Sequence, residues 1–330
     1  MKHVLSIYLS VACILSAESL KLVNTTDLPG ISGDLDHMAI DAAGQRLFLA
    51  AEDNGTLRVI DLKSGKLLHT VKGFHTPHSI LYLPEVNELY IADGSKAIQV
   101  LDSRTFQVKR TVATTPGSDS IAVDRDAHLL YAVSGGKDVS MKTSVISVIN
   151  TQSAKLEKEI AIDAAHVEAM ALGKGGPELF VNVTDKNYLA VIDRKKGTIV
   201  AQWHIAEARQ NAPIAFDEAK HRLFVVCRDP GMLVVLNSQD GHTIASFPTG
   251  AKADEVVFDA ARDRIYVLAG EGKIYPYQQE NANHYKPLNP VPSASGAKTG
   301  LLSPDGQKLF VAVSPGEGRS GAKVLTFEVQ

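Results

Sequence analysis

Six ionisable residues recur at one position of a repeating pattern, and they are where chemistry could sit in this chain. They are Asp36, His78, Asp119, Glu168, Asp254 and Lys298, with Ala212 at the same place in a further copy. Each precedes by five residues the last residue of a short apolar run (positions 41, 83, 124, 173, 217, 259 and 303). Close by stand His37, His75, Ser120, His166, Asn211, Glu255 and Thr299. Imidazole and carboxylate groups converging on one point can hold a divalent metal. His78 with Asp36, Asp119 and Glu168 is the set to consider for a single such ion. A bound metal could activate water, with a neighbouring carboxylate or His as base. Lys298 breaks the symmetry of a metal cage and suits an anionic ligand instead. Asp36, His37, His78, Asp119, Glu168, Asn211, Asp254 and Lys298 together form the candidate ligand-binding set. The competing reading is a solvated rim of polar residues with no ligand.

Convergence requires elements that bring these positions together. The pattern around them runs through the chain seven times, at a spacing of 41–49 residues. Each copy has an apolar run, a polar turn, then a second apolar run opening with Leu or Ile. Examples are Met38-Ala39-Ile40-Asp41 then Leu47-Phe48-Leu49, and Ile214-Ala215-Phe216-Asp217 then Leu223-Phe224-Val225. An aromatic follows the reference position by seven residues in every copy: Phe48, Tyr90, Tyr131, Phe180, Phe224, Tyr266 and Phe310. A fixed period of this length built from strand-like segments marks propeller blades. The fold class is therefore all-β: a seven-bladed β-propeller of four-stranded antiparallel blades.

Blade one reads most clearly. Strand a is expected over 37–41, strand b over 46–51, strand c over 56–61 and strand d over 66–71. Gly55 falls where a turn demands positive φ. Strand c recurs as an apolar pair followed by Asp or Asn (Asp61, Asp102, Asn150, Asp193, Asn237), which suits a side-chain cap on the following turn. Along strand a, one face carries mostly small residues (Ala39, Ala122, Ala171, Ala215) and the other bulky ones (Ile40, Tyr82, Phe216, Phe258), so that facing blades can interdigitate. The seventh copy ends with a third strand near 323–328, one short of a blade, while Leu20–Val23 stands unassigned at the other end. Pairing the two would close the ring. Blade three carries extra residues over 135–144, and blade six departs from the pattern at Ile274-Tyr275-Pro276-Tyr277 and the polar stretch 278–284. Such insertions often build a binding surface.

Lys2 and His3 open the chain, an apolar run extends to Leu15, and Ser16-Ala17 follows. This is the layout of a secretory signal peptide over 1–17, with one propeller domain over 18–330. The expected location is periplasmic or secreted; Ser10-Val11-Ala12-Cys13 offers lipoprotein anchoring as the rival. No other segment is long and apolar enough to span a bilayer. A net charge of -3 without a Lys/Arg run gives no reason to expect nucleic acid. Cys227 is the one cysteine left in a mature chain, and it reads as a small buried hydrophobe. A monomer is expected, with a small molecule or a protein as partner.

The unit Arg46-Leu47-Phe48-Leu49, Asn54-Gly55, Val59-Ile60-Asp61, Ser64-Gly65-Lys66 resembles the YVTN/YncE-type seven-bladed β-propeller family, as do Leu179-Phe180-Val181-Asn182 and Val191-Ile192-Asp193. The literal Tyr-Val-Thr-Asn tetrad is absent, and Phe180-Val181-Asn182 comes nearest. The resemblance spans residues 20–330. It implies an exported bacterial protein with a binding or scaffolding role. Related propellers include lactonase-like hydrolases and non-catalytic subunits of quinoprotein amine dehydrogenases. Three functions stay open at this point: a binding module at the channel mouth, a metal-assisted hydrolase using the ionisable ring, and a scaffold or subunit of a periplasmic complex.

Overall fold

The computed structural model describes residues 19–94, 97–316 and 321–330. The segment 1–17 expected to be a signal peptide, with Cys13, lies outside the described residues. Seven antiparallel sheets follow one another along the chain, and strands a to d pair in sequence order within the first six. The a strands are Met38–Asp41, Pro77–Leu83, Ile121–Asp124, Val167–Leu172, Arg209–Asp217, Ala253–Asp259 and Ala297–Leu302. Neighbouring a strands touch around the ring and line the channel.

Period-two alternation explains how blades hold together. In strand b of blade one (Arg46–Ala51), Phe48 enters a cluster with Ile80, Leu89 and Ile91 of blade two. Leu47 and Leu49 point the other way, into a cluster with Phe310, Ala312 and Val324 of blade seven. The described residues form seven apolar clusters, one between each pair of consecutive blades. All seven repeat aromatics are buried. Cys227 is buried in the cluster between blades four and five, and burial followed by the charge of Glu207 pushes its thiol up to about 12.

The turns obey local chemistry. Gly55 has φ +58, and a Cβ there would lie 2.6 Å from the Phe74 carbonyl oxygen. The strand-c Asp and Asn side chains cap their turns as expected: Asp61 accepts from the Ser64 N–H at 2.6 Å, Asp102 from Thr105 at 2.9 Å, Asn150 from Ser153 at 2.9 Å, Asp193 from Lys196 at 2.9 Å and Asn237 from Gln239 at 2.9 Å.

Blade six is more regular than its sequence suggests. Strand c runs over Lys273–Asn281, straight through Pro276 and much of the polar stretch. Its outer neighbour comes in two pieces, His284–Pro287 and Val291–Pro292. Pro276 falls at the break between them, so its missing N–H leaves no ladder bond unmade, and its carbonyl accepts from Leu288 at 2.9 Å.

Closure of the ring is also confirmed. The N-terminal strand Leu20–Asp27 pairs antiparallel with Lys323–Val329 and completes blade seven. Leu20 is fully buried among Leu309, Phe327 and Val329, whereas Leu22 is 50% exposed. Leu20→Ala is therefore expected to cost about 2–5 kcal/mol through the cavity left at the closure, and Leu22→Ala no more than about 0.5 kcal/mol. Urea denaturation of the two variants separates them; equal costs would show that the strand docks without closing the core.

Candidate functional site

Strand a of every blade begins at the same end of the channel, so one repeat position is delivered to one place. A cavity of about 670 Å³ lies there. Asp36, His78, Asp119, Glu168, Asp254 and Lys298 all line it. The ends of strands b and the loops that follow them reach the same face and add Glu52, Arg228 and the blade-three insertion with Lys137 and Asp138. Asp34, His75, His166 and Lys252 complete the charged lining.

The groups form a nearly continuous ring of ion pairs. Asp36 accepts from His78 Nδ1 at 2.9 Å. Glu52 and Asp119 approach the same nitrogen at 4.0 and 3.9 Å. Glu168 meets His166 at 2.7 Å and Arg228 at 3.2 Å. Arg228 also binds Asp254. Asp254 meets Lys298 at 3.1 Å, and Lys298 reaches Asp34 at 3.3 Å. One residue further along the strands, His37 bridges Asp36 and Glu255, 3.4 Å from each. It links blade one to blade six and does not line the cavity.

Two arcs of different character result. Burial disfavours the charged form of Asp36, but His37, His78 and Lys298 outweigh it and hold its carboxyl well below the usual range. For His78, burial works against the charge, yet the Asp36 hydrogen bond and the nearby carboxylates raise it to about 10. Glu52 is pushed up to about 7 by burial and then by the charge of Asp36. Asp119 rises to about 6 by burial and by the Asp36 and Glu168 charges, against the pull of His78. Burial raises Glu255 as well, opposed by His37. On the other arc, Glu168 is lowered: burial opposes, and His166 and Arg228 prevail. Lys298 is raised by Asp254 and Asp34 in spite of burial.

Not every sequence candidate reaches the mouth. Asn211 is fully buried between blades four and five, and its amide donates to Asn182 Oδ1 at 2.7 Å and the Tyr188 carbonyl at 3.1 Å. Both donors are consumed in packing, so it leaves the ligand-binding set. The metal set also changes membership. Glu168 turns to Arg228 and His166, while Asp36, Glu52 and His78 bring ligand atoms within 4.8 Å of one another. Glu52 and Arg228 were not singled out from the sequence, although a signal existed. Both stand eleven residues after a reference position, where the other copies have Gly94, Gly135, Thr184, Gly270 and Ser314.

No family model matches the chain. It is 27% identical over 96 residues to the uncharacterized protein YncE of Salmonella typhi, and 26% identical over 96 residues to that of Salmonella typhimurium strain LT2. The match covers 29% of this chain and 27% of each relative, so it spans about a quarter of their length. Among solved structures, the chain superposes on one from a mitotic checkpoint complex with a TM-score of 0.79 at 14% identity, covering 100% of this chain and 98% of that one. The RRP9 WD40 repeats give 0.79 at 14% identity, over 95% and 99% of the two chains. A chain of Kuenenia stuttgartiensis hydrazine synthase gives 0.74 at 16% identity, over 86% and 95%. These likenesses establish a seven-bladed propeller, the architecture of many binding and scaffold modules, and nothing finer. No helix among the described residues is long and apolar enough to cross a membrane.

A carboxyl raised by folding stabilises the fold below its unfolded pKa and loses that contribution as pH rises through its folded value. For Glu52 the window runs from the ordinary 4.5 to about 7. Glu52→Gln is thus expected to be more stable than wild type at pH 8, by on the order of 1–3 kcal/mol, with the difference gone by pH 4. Urea titrations at both pH values with a chelator present would check this. Equal stability at pH 8 would mean that the carboxylate is well solvated.

Proposed function

We propose that this chain is an exported binding module of the YVTN/YncE-like propeller kind, taking a small polar ligand at its channel mouth. The observation that carries the reading is the delivery of six ionisable side chains, by six inner strands, into one cavity of about 670 Å³. That volume suits a metabolite-sized ligand. The acidic arc of Asp36, Glu52 and Asp119 favours positive charge. Lys137 and Lys252 also line the cavity and make no ion pair among the described residues, so they favour an anionic group. The ligand class is therefore a small molecule with an anionic group and a separate centre of positive charge, such as an amino acid or short peptide. The basic start at Lys2, the apolar run to Leu15 and the small residues Ser16-Ala17 support export.

The blade-three insertion gives the reading a second support. Its 3₁₀ turn, Lys137–Val139, contributes three residues to the lining and is held by the Lys137 N–H bonding the Ala165 carbonyl at 2.7 Å. A tolerated surface loop has no need of such anchoring over the channel.

Thermal-shift measurements with amino acids and dipeptides at millimolar concentration, in chelator, test the proposal. Saturation at about 100 times Kd stabilises a fold by about 2.7 kcal/mol, which is readily seen as a rise in Tm. At least one probe is expected to raise the wild-type Tm, and the rise is expected to disappear in the Lys137→Ala, Lys252→Ala double variant and in Asp119→Asn. Equal stabilisation of the variants, or none of the wild type, would overturn this ligand class.

A further inference from the structure

We propose that Asp36, Glu52 and His78 hold a divalent transition cation, with open coordination positions facing the cavity. The inference rests on the mouth being a ligand cavity and names what fills its acidic end.

Geometry carries it first. The three residues offer one ligand atom each, all within 4.8 Å of one another. His78 Nδ1 lies 2.9 Å from Asp36 and 4.0 Å from Glu52. Metal–ligand bonds of about 2.1 Å in tetrahedral geometry set ligand atoms roughly 3.4 Å apart. The two separations from the imidazole straddle that value and the third lies within 4.8 Å, so an ion seats once the Asp36 and Glu52 side chains adjust around it. The cation takes the position of the proton now shared between Nδ1 and Asp36, and that proton leaves to solvent.

An independent observation is the oddity of Glu52 within the repeat. At the equivalent position Ser314 exchanges hydrogen bonds with the Leu35 backbone, at 2.9 and 3.3 Å, and Thr184 donates to the Asn211 carbonyl at 2.7 Å. Gly94, Gly135 and Gly270 fill it elsewhere, and their N–H groups donate to the Thr76, Pro116 and Lys252 carbonyls. The Glu52 carboxylate accepts no hydrogen bond from any described residue. It serves no role in closing its blade, yet a 3₁₀ turn, Glu52–Asn54, ended by Gly55 in the left-handed region, aims it at His78. Asp119, 3.9 Å from the same imidazole, has a carboxylate that likewise accepts no hydrogen bond from any described residue, and it stands where it can accept from a metal-bound water.

Donor chemistry selects the ion. One imidazole and two carboxylates suit Zn²⁺ or Mn²⁺ over Ca²⁺, which takes six to eight oxygens. Three protein ligands with an open position is the arrangement of a site that receives a further ligand. An anionic group held by Lys137 and Lys252 could supply it.

The test is calorimetric titration of tag-free protein with ZnCl₂ and, separately, MnCl₂. Wild type is expected to bind one equivalent of at least one of them. Glu52→Gln, which loses no hydrogen bond of the fold, is expected to bind at least tenfold more weakly. Glu85→Gln, at an exposed ion pair with Arg125 remote from the mouth, is expected to match wild type. Circular dichroism confirms that each variant is folded. An absence of binding by wild type, or an unchanged Kd in Glu52→Gln, overturns the proposal. The amino acid and peptide panel, run in chelator, is read separately, so a failed cation site leaves the channel-mouth reading standing or falling on its own result.

Discussion

Everything in this protein depends on the packing of each blade against its neighbours and on the ring closing. A four-stranded sheet with strand b apolar on both faces cannot sit in water on either side. Phe48 needs blade two, and Leu47 and Leu49 need blade seven. The requirement passes from blade to blade until it returns to the first, so an open ring would leave an apolar face bare at each end. The pairing of Leu20–Asp27 with Lys323–Val329 removes that condition by joining the two ends of the described chain. At the end remote from the cavity, polar ties follow the same neighbour-to-neighbour logic. Arg46 of blade one donates to the Ser103 carbonyl of blade two, Arg194 of blade four binds Asp124 of blade three, and Arg262 of blade six reaches the Gly306 carbonyl of blade seven.

Closure is also what makes a site. It forces seven strand starts to one end of one axis, and charges far apart in sequence come within ångströms of each other. Asp36 and His78 are 42 residues apart, and Arg228 and Glu168 are 60 apart. Partly buried charges are costly unless paired, and most of this ring is paired. The exceptions are informative. Glu52 and Asp119 crowd an imidazole that already has a partner in Asp36, and Lys137 and Lys252 line the same cavity without an ion pair among the described residues. Mismatch between the arcs, rather than the presence of charge, distinguishes this mouth from a merely wet opening.

Much of this was legible in the chain. The repeat spacing, the apolar alternation and the strand-c caps are local properties, and the blade boundaries expected from them agree with the observed strands to within a residue or two in blade one. Blade six misled for a physical reason: Pro276 looks like a break when strand c is read alone, and is accommodated because the outer strand is itself interrupted there. Asn211 misled in a different way. It sits near the correct register position, but blade five turns it into the interface with Asn182, a contact that only packing decides.

The sequence by itself determined the number of blades, the repeat position of the inner strands and the identity of six charged groups at the channel mouth, because periodicity and turn chemistry act over a few residues. Tertiary structure alone decided which of those groups share a partner. It set Glu52 beside His78 and drew Glu168 away to Arg228, because those choices depend on how loops from separate blades converge once the ring has closed.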